Sequence, residues 1–285
     1  MAGWGTALRA GTRWRTGRGL VAAGLALLLA GGALRAETHP PLVLDYDVYL
    51  GGFHALSFQA QVSLGKEAYQ ARVRSNGDDG LLAKWFDFAM EAEADGRTGK
   101  AGLLPRRFHV ANTWFGGGQR RVEIAYATDG AAEVRVEPPP EEDDRDAVPL
   151  TQRRGTLDPI SAILMLVWQL AENSRCDGEV AVFDGRRRYD VTTQGLGGTR
   201  LEASDSAPYS GPAVVCRVTF RPIAGFWRNA RRDGSKSPEI DVFLAPGTDL
   251  TPPLPVRLHA KNRFGALRIH LVAARPANAG LNIPQ

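Results

Sequence analysis

The feature that most constrains this chain is the run TLDPISAILMLVWQLAE at 156–172, in which Ser161 and Gln169 are the only polar side chains between Ile160 and Ala171. A surface helix keeps a polar face, so a helix that is apolar on nearly every side has to be surrounded by other parts of the protein. The local signals are helical. Asp158 can cap the run, Pro159 stands at the first helical position, where no N–H is needed, and Leu, Met, Ala and Gln favour the conformation. The run is long for a strand and short of the about 20 residues that cross a bilayer. Ser161, Met165, Gln169 and Glu172, spaced by three or four residues, form one narrow stripe along it.

Almost everything else alternates with period two. Residues 43–50 and 53–64 flank Gly51-Gly52, and 68–76 follow Gly65. The segment 85–95 alternates as well, with a helix at 80–88 as the competing reading; 104–115 and 119–128 then form a pair across three glycines. The first half therefore reads as an antiparallel meander of six or seven strands. After the helix, Asp184-Gly185 divides 179–193 into a hairpin; a two-residue type I′ turn there would set Val180 opposite Tyr189 and Val182 opposite Arg187. Further strands are expected at 213–223, 239–245, 255–261 and 266–274, and GLGG at 195–198 reads as a loop between strands rather than a phosphate cradle. In the last hairpin Val256, Leu258 and Ala260 share a face with Leu267, Ile269 and Leu271, while Arg257, His259, Arg268 and His270 take the other. Between the two meanders, VEPPPEEDDRDAVP at 136–149 reads as an exposed acidic linker, with an acidic docking loop as the functional alternative. A mainly β fold reconciles these signals: one strongly curved antiparallel sheet, an incomplete β-barrel, around a single buried apolar helix, with 37–285 as one domain.

Residues 1–36 carry Arg9, Arg13, Arg15 and Arg18, then the apolar run LVAAGLALLLA at 20–30, then GGALRA ending at Ala36. This is the organisation of a cleaved secretory signal peptide, with Ala33 as a second cleavage point and an uncleaved membrane-anchoring segment as the alternative. No cysteine lies near the cleavage point for lipid attachment, and the arginines are not adjacent, which disfavours the twin-arginine route. Export to the periplasm is the expectation. The whole chain has 35 Lys+Arg against 31 Asp+Glu, but five arginines and no acid lie in 1–36, so the remainder is close to neutral. The basic balance of the full chain therefore gives no case for nucleic acid.

Few residue sets could carry chemistry. Cys176, just past the helix, and Cys216, within a strand, have neither CxxC spacing nor a neighbouring histidine, and two lone cysteines in an exported protein pair as a disulfide. Closing that loop of about 41 residues is worth roughly 4 kcal/mol in the chain-entropy model. The five histidines show no metal-ligand spacing and read as solvated; no metal or cofactor is expected, and no nucleophile motif occurs. Two basic clusters stand out. Arg186–Arg188 beside Asp184 and Asp190 could be a site or a solvated hairpin end with cross-strand ion pairs. Phe226, Trp227, Arg228, Arg231 and Arg232 could touch lipid head groups or an anionic polymer, or could be a basic loop of an edge strand.

The strings LDPISAILMLVWQL, CDGEVAVFDGRRRYDV, YSGPAVVCRVTF and PIAGF, with GKAGLLPRRF upstream, resemble the exported bacterial family known as domain of unknown function 3108. The resemblance implies a periplasmic, β-rich protein with no assigned activity and no catalytic residues to carry over. Asp184, Gly185, Arg187, Arg188, Tyr189 and Asp190 match its signature and are the site candidates it suggests. By shape alone the expected half-barrel is similar to periplasmic lipoprotein carriers. The gap between helix and sheet would then be an apolar cleft lined by Ser161, Met165 and Gln169, suited to an acyl chain, a hydrophobic peptide or a partner in envelope biogenesis. The competing readings are a structural or assembly protein whose helix only fills the sheet, and a hydrolase with Asp184 and Asp190 as paired carboxylates.

Overall fold

The computed structural model describes residues 40–76, 89–114, 118–138, 147–226, 239–248, 251–262 and 265–277, all within one compact unit of residues 36–285. Before the helices come β1 (Leu42–Leu50), β2 (Phe53–Leu64), β3 (Ala68–Asn76), β4 (Ala89–Gly99), β5 (Gly102–Trp114), β6 (Gly118–Tyr126) and β7 (Ala132–Glu137). Two helices follow, α1 (Leu150–Arg153) and α2 (Pro159–Asn173). The chain continues with β8 (Gly178–Phe183), β9 (Arg188–Leu201), β10 (Gly211–Ala224), β11 (Glu239–Ala245), β12 (Leu254–Asn262) and β13 (Gly265–Pro276). The 13 strands form one antiparallel sheet in the order β7-β6-β5-β4-β3-β2-β1-β13-β12-β11-β10-β9-β8. Each meander is thus continuous in sequence, and the pairing of β1 with β13 joins the two.

The sheet is not closed by hydrogen bonds between its edge strands, β7 and β8. The connection that carries the helices bridges the two edges instead. Gly155 N–H donates to Gly130 O in the β6–β7 turn (2.9 Å), and Arg154 Nη1 donates to Asp129 O (3.0 Å) and pairs with its carboxylate (2.6 Å). Two residues on, Leu157 N–H donates to Ala181 O and Leu157 O accepts from Phe183 N–H, a parallel bridge onto β8. Val148, at the end of the expected acidic linker, is buried with Phe108, Val122, Ile124 and Phe183, so that end is anchored rather than exposed. Residues 80–88, 139–146 and 227–238 lie outside the described residues, and with them the competing helix, most of the acidic run, and Trp227, Arg228, Arg231 and Arg232.

Helix α2 starts and stops where its end groups are satisfied. Asp158 Oδ1 accepts from Ser161 N–H (2.9 Å), Pro159 occupies the first turn, and Ser174 closes the C-terminus in the left-handed conformation with its N–H on Leu170 O. On one side its Leu164 and Met165 pack with Tyr69, Ala71 and Leu103 from β3 and β5. On the other, Leu166, Val167 and Leu170 pack with Val182, Val191, Cys216, Val218 and Val242 from β8 to β11. The sheet wraps the helix because both flanks are apolar. Cys176 and Cys216 lie at disulfide distance with Cα atoms 5.7 Å apart, tying the exit of the helix to β10.

Two local expectations are corrected. GLGG at 195–198 lies within β9, where a bulge between Gly195 and Gly197 accommodates it without breaking the strand. The β8–β9 turn spans Asp184–Arg187, closed by Asp184 N–H to Arg187 O (3.1 Å), and Val180 faces Val191 while Val182 faces Tyr189. The Asp184 carboxylate accepts from the N–H groups of Arg186 and Arg187, which widens the loop by two residues. A two-residue shift leaves every side chain on its expected face.

Candidate functional site: an apolar cavity beside the central helix

A cavity of about 360 Å³ lies between α2 and the concave face of the sheet. The helix contributes Ile160, Ala162, Ile163, Leu164, Leu166 and Val167. The alternation of the strands supplies the facing wall: Leu44 and Tyr46 of β1, Phe58, Ala60 and Val62 of β2, Tyr189 and Val191 of β9, and Phe220 of β10. Among the described residues no charged side chain lines it, and the Tyr46 hydroxyl is satisfied by donating to Pro255 O (2.9 Å). Ile163 is 57% exposed in the middle of this helix, because it faces the cavity instead of a packed partner.

The opposite side of α2 is packed and contains buried polar groups. Ser161 Oγ donates to Asp158 Oδ2 (2.5 Å), and the Tyr69 hydroxyl, 2.7 Å from Ser161 Oγ, donates in turn. Asp158 and Ser161 have no exposed surface. Burial pushes the Asp158 carboxyl up to about 6, against the hydrogen bonds from Ser161, and pushes the Tyr69 hydroxyl above its ordinary range. Met165 lies over β5 at Gly102, whose positive φ and missing side chain leave it room: a Cβ there would stand 2.6 Å from Met165 Cε. Gln169 lies against Gly178 at the start of β8. The expected ligand-facing stripe of Ser161, Met165 and Gln169 therefore does not line the apolar cavity; it is the stripe that docks the helix onto β3–β5 and β8.

A model of the family described as "Protein of unknown function (DUF3108)" matches residues 45–272, most of the chain and both meanders with the helix between them. The chain belongs to the DUF3108 family. No curated protein matches it. Among solved structures it is similar to the crystal structure of a beta-barrel-like protein of domain of unknown function DUF1849 from Brucella abortus, at 14% identity and a TM-score of 0.51, covering 84% of this chain and 99% of that one. At that identity the likeness is one of fold.

The signature of the DUF3108 chain, carried by the β8–β9 hairpin, sits apart from the cavity except at Tyr189. Asp190 points away from it and is held between Arg188 Nη1 (2.6 Å) and Arg221 Nη2 (2.5 Å); Asp184 pairs with Arg187 (2.7 Å) within the turn. Each carboxylate has its own arginine partner, so the two do not face one substrate position as paired acids. Arg187 also stacks over the Phe226 ring at 5.9 Å. Gly185, at φ +91°, allows the turn to seat on β6: a Cβ there would lie 2.3 Å from Val122 Cγ1. The signature thus ties the β8 end of the sheet to its β6–β7 end.

The register of the last hairpin is as expected, with Arg257 opposite His270 and His259 opposite Arg268. His270 is not solvated, however. The β9–β10 loop folds over it, its Nδ1 donates to Ser206 O (2.7 Å), and Arg257 Nη2 donates to Tyr209 O (3.1 Å) from the same loop. Burial, with Arg257 and Arg268 nearby, pushes His270 below its ordinary range. Among the described residues no three His, Cys, Asp or Glu side chains are grouped to hold a metal, and no helix is long and apolar enough to cross a membrane.

Apart from Tyr189, the described residues that line the cavity were not among the sequence candidates. Their signal was available in the phase of the strand alternation and in the spacing of Ile160, Ile163 and Val167, the β-branched residues on one side of the helix.

Proposed function

We propose that this protein is an exported carrier that holds the alkyl portion of a hydrophobic ligand between α2 and the concave sheet, and that it serves the cell envelope in that role. The observation that carries the reading is the cavity of about 360 Å³, lined by no charged side chain among the described residues and within the roughly 300–1,000 Å³ typical of ligand pockets. Moving alkyl groups from water into such a space is favourable by about 0.8 kcal/mol per methylene. Export to the periplasm is supported by the basic-then-apolar order of residues 1–36 and by the buried pair Cys176 and Cys216, since disulfides persist in oxidising compartments.

The test is solvent extraction and mass spectrometry of protein purified from the periplasm without detergent, together with binding of a neutral fluorescent alkyl probe. Acyl species near one equivalent and saturable probe binding are expected. A clean spectrum with no probe binding would overturn the carrier reading and leave α2 as a structural filler of the sheet.

A further inference from the structure

We propose that the ligand is a single-chain amphiphile with an anionic head, its tail beside α2 and its head in a second chamber at the C-terminal end of that helix; the proposal rests on the carrier reading above. This chamber, about 960 Å³, meets the apolar cavity at Leu64, Pro252 and Pro253, which line both. In the proposed pose the tail lies in one space and the head passes Leu64, Pro252 and Pro253 into the other. The smaller space is near the low end of the roughly 300–1,000 Å³ of ligand pockets, which suits one chain rather than two.

The wall of the second chamber selects charge. Lys66, in the β2–β3 turn, and Lys100, in the β4–β5 turn, both line it, and the two turns are held together by Thr98 N–H donating to Glu67 O (2.9 Å). Neither lysine has an ion pair or hydrogen bond among the described residues. Thr98 lines the same chamber, with its hydroxyl buried away from it. Two unpaired ammonium groups match the acceptor oxygens of a carboxylate or phosphate. Among the described residues Glu172 is the acid on this wall, at the end of α2, where the last carbonyls of the helix also repel an anion. The head therefore belongs on the Lys66–Lys100 side, away from the helix end.

The experiment uses the chain from residue 37 onward and measures displacement of the neutral alkyl probe, below micellar concentration, by four amphiphiles of equal chain length: dodecanoate, a lysophosphatidate, dodecanol and dodecyltrimethylammonium. The two anions are expected to bind about tenfold more tightly than dodecanol, the sum of two partly screened charge contacts, and the cation more weakly. The better of the two anions separates a free fatty acid from a lipid-derived ligand, and either preference supports the proposal. In Lys66→Gln/Lys100→Gln the preference should vanish with dodecanol affinity unchanged, and raised ionic strength should narrow it in the wild type. Equal binding of dodecanoate and dodecanol, or a preference that survives the double substitution, overturns the anionic head while leaving the carrier reading intact. Absence of displacement by all four, dodecanol included, overturns both.

Discussion

The two sides of α2 are built from similar residues and do opposite things. Toward β3–β5, Ser161 and Met165 are buried, one in a hydrogen-bonded chain to Asp158 and Tyr69 and the other over Gly102. Toward the cavity, Ile163 borders open space and stays 57% exposed, with Ile160 and Val167 at the cavity's edge. The polar residue is on the packed side and the bare isoleucine on the open side, the reverse of what polarity alone suggests. A buried hydroxyl costs little when its partners are in place, and an apolar side chain can face a cavity when that cavity exists to receive something apolar.

The contrast is sharpest in stability. Met165→Ala removes a buried side chain from a close contact and is expected to destabilise by about 2–5 kcal/mol. Ile163→Ala on the open side should cost less than about 1 kcal/mol. Denaturant melts of the pair measure both, and equal losses would mean that the two sides are packed alike.

A second effect belongs to the packed side alone. Asp158 is held at about 6 in the folded state against 3.8 ordinarily, so folding favours its protonated form. Its contribution is most favourable below pH 4 and is lost as the pH rises through about 6, a change of about 3 kcal/mol at 1.36 kcal/mol per pKa unit. Other carboxylates, such as Asp45 and Asp241, are shifted the opposite way, so the quantity to measure is the difference between wild type and Asp158→Asn. Asn keeps a capping oxygen and cannot ionise. The substitution should gain in relative stability from pH 4 to pH 7; a pH-independent difference would place Asp158 in contact with water.

Period-two alternation made most of the strands legible, down to the pairing of Arg257 with His270, because each strand of a curved sheet has one inner and one outer face. The helix was legible for the same reason that its orientation was not. A run with two polar residues in a dozen has to be buried, but it offers almost no polar face by which to say which side meets which wall. The partner that places Ser161 inside is Tyr69, 92 residues earlier, and no local pattern links the two. The β8–β9 signature was likewise visible as a cluster of charges, whereas the second arginine on Asp190, Arg221, arrives from β10. Long-range pairings decide such roles, and local sequence carries no record of them.

The smallest expected change in stability is the most informative about the open side. Ile163→Trp places a larger apolar side chain where isoleucine now borders empty space, so the added ring can enter the cavity without displacing a packed neighbour. Folding stability should be unchanged within about 0.5 kcal/mol, or slightly raised by the apolar surface the ring covers. Occupying the cavity in this way should remove most of the affinity for the alkyl probe. Gln169→Ala, on the docked side, should leave that affinity as it is, because Gln169 lies against Gly178 and lines no part of the cavity. If Ile163→Trp unfolds the protein, the space beside α2 is too tight to admit a ligand. If it folds and the probe binds as before, the alkyl chain is held elsewhere and the difference between the two sides of the helix is one of packing alone.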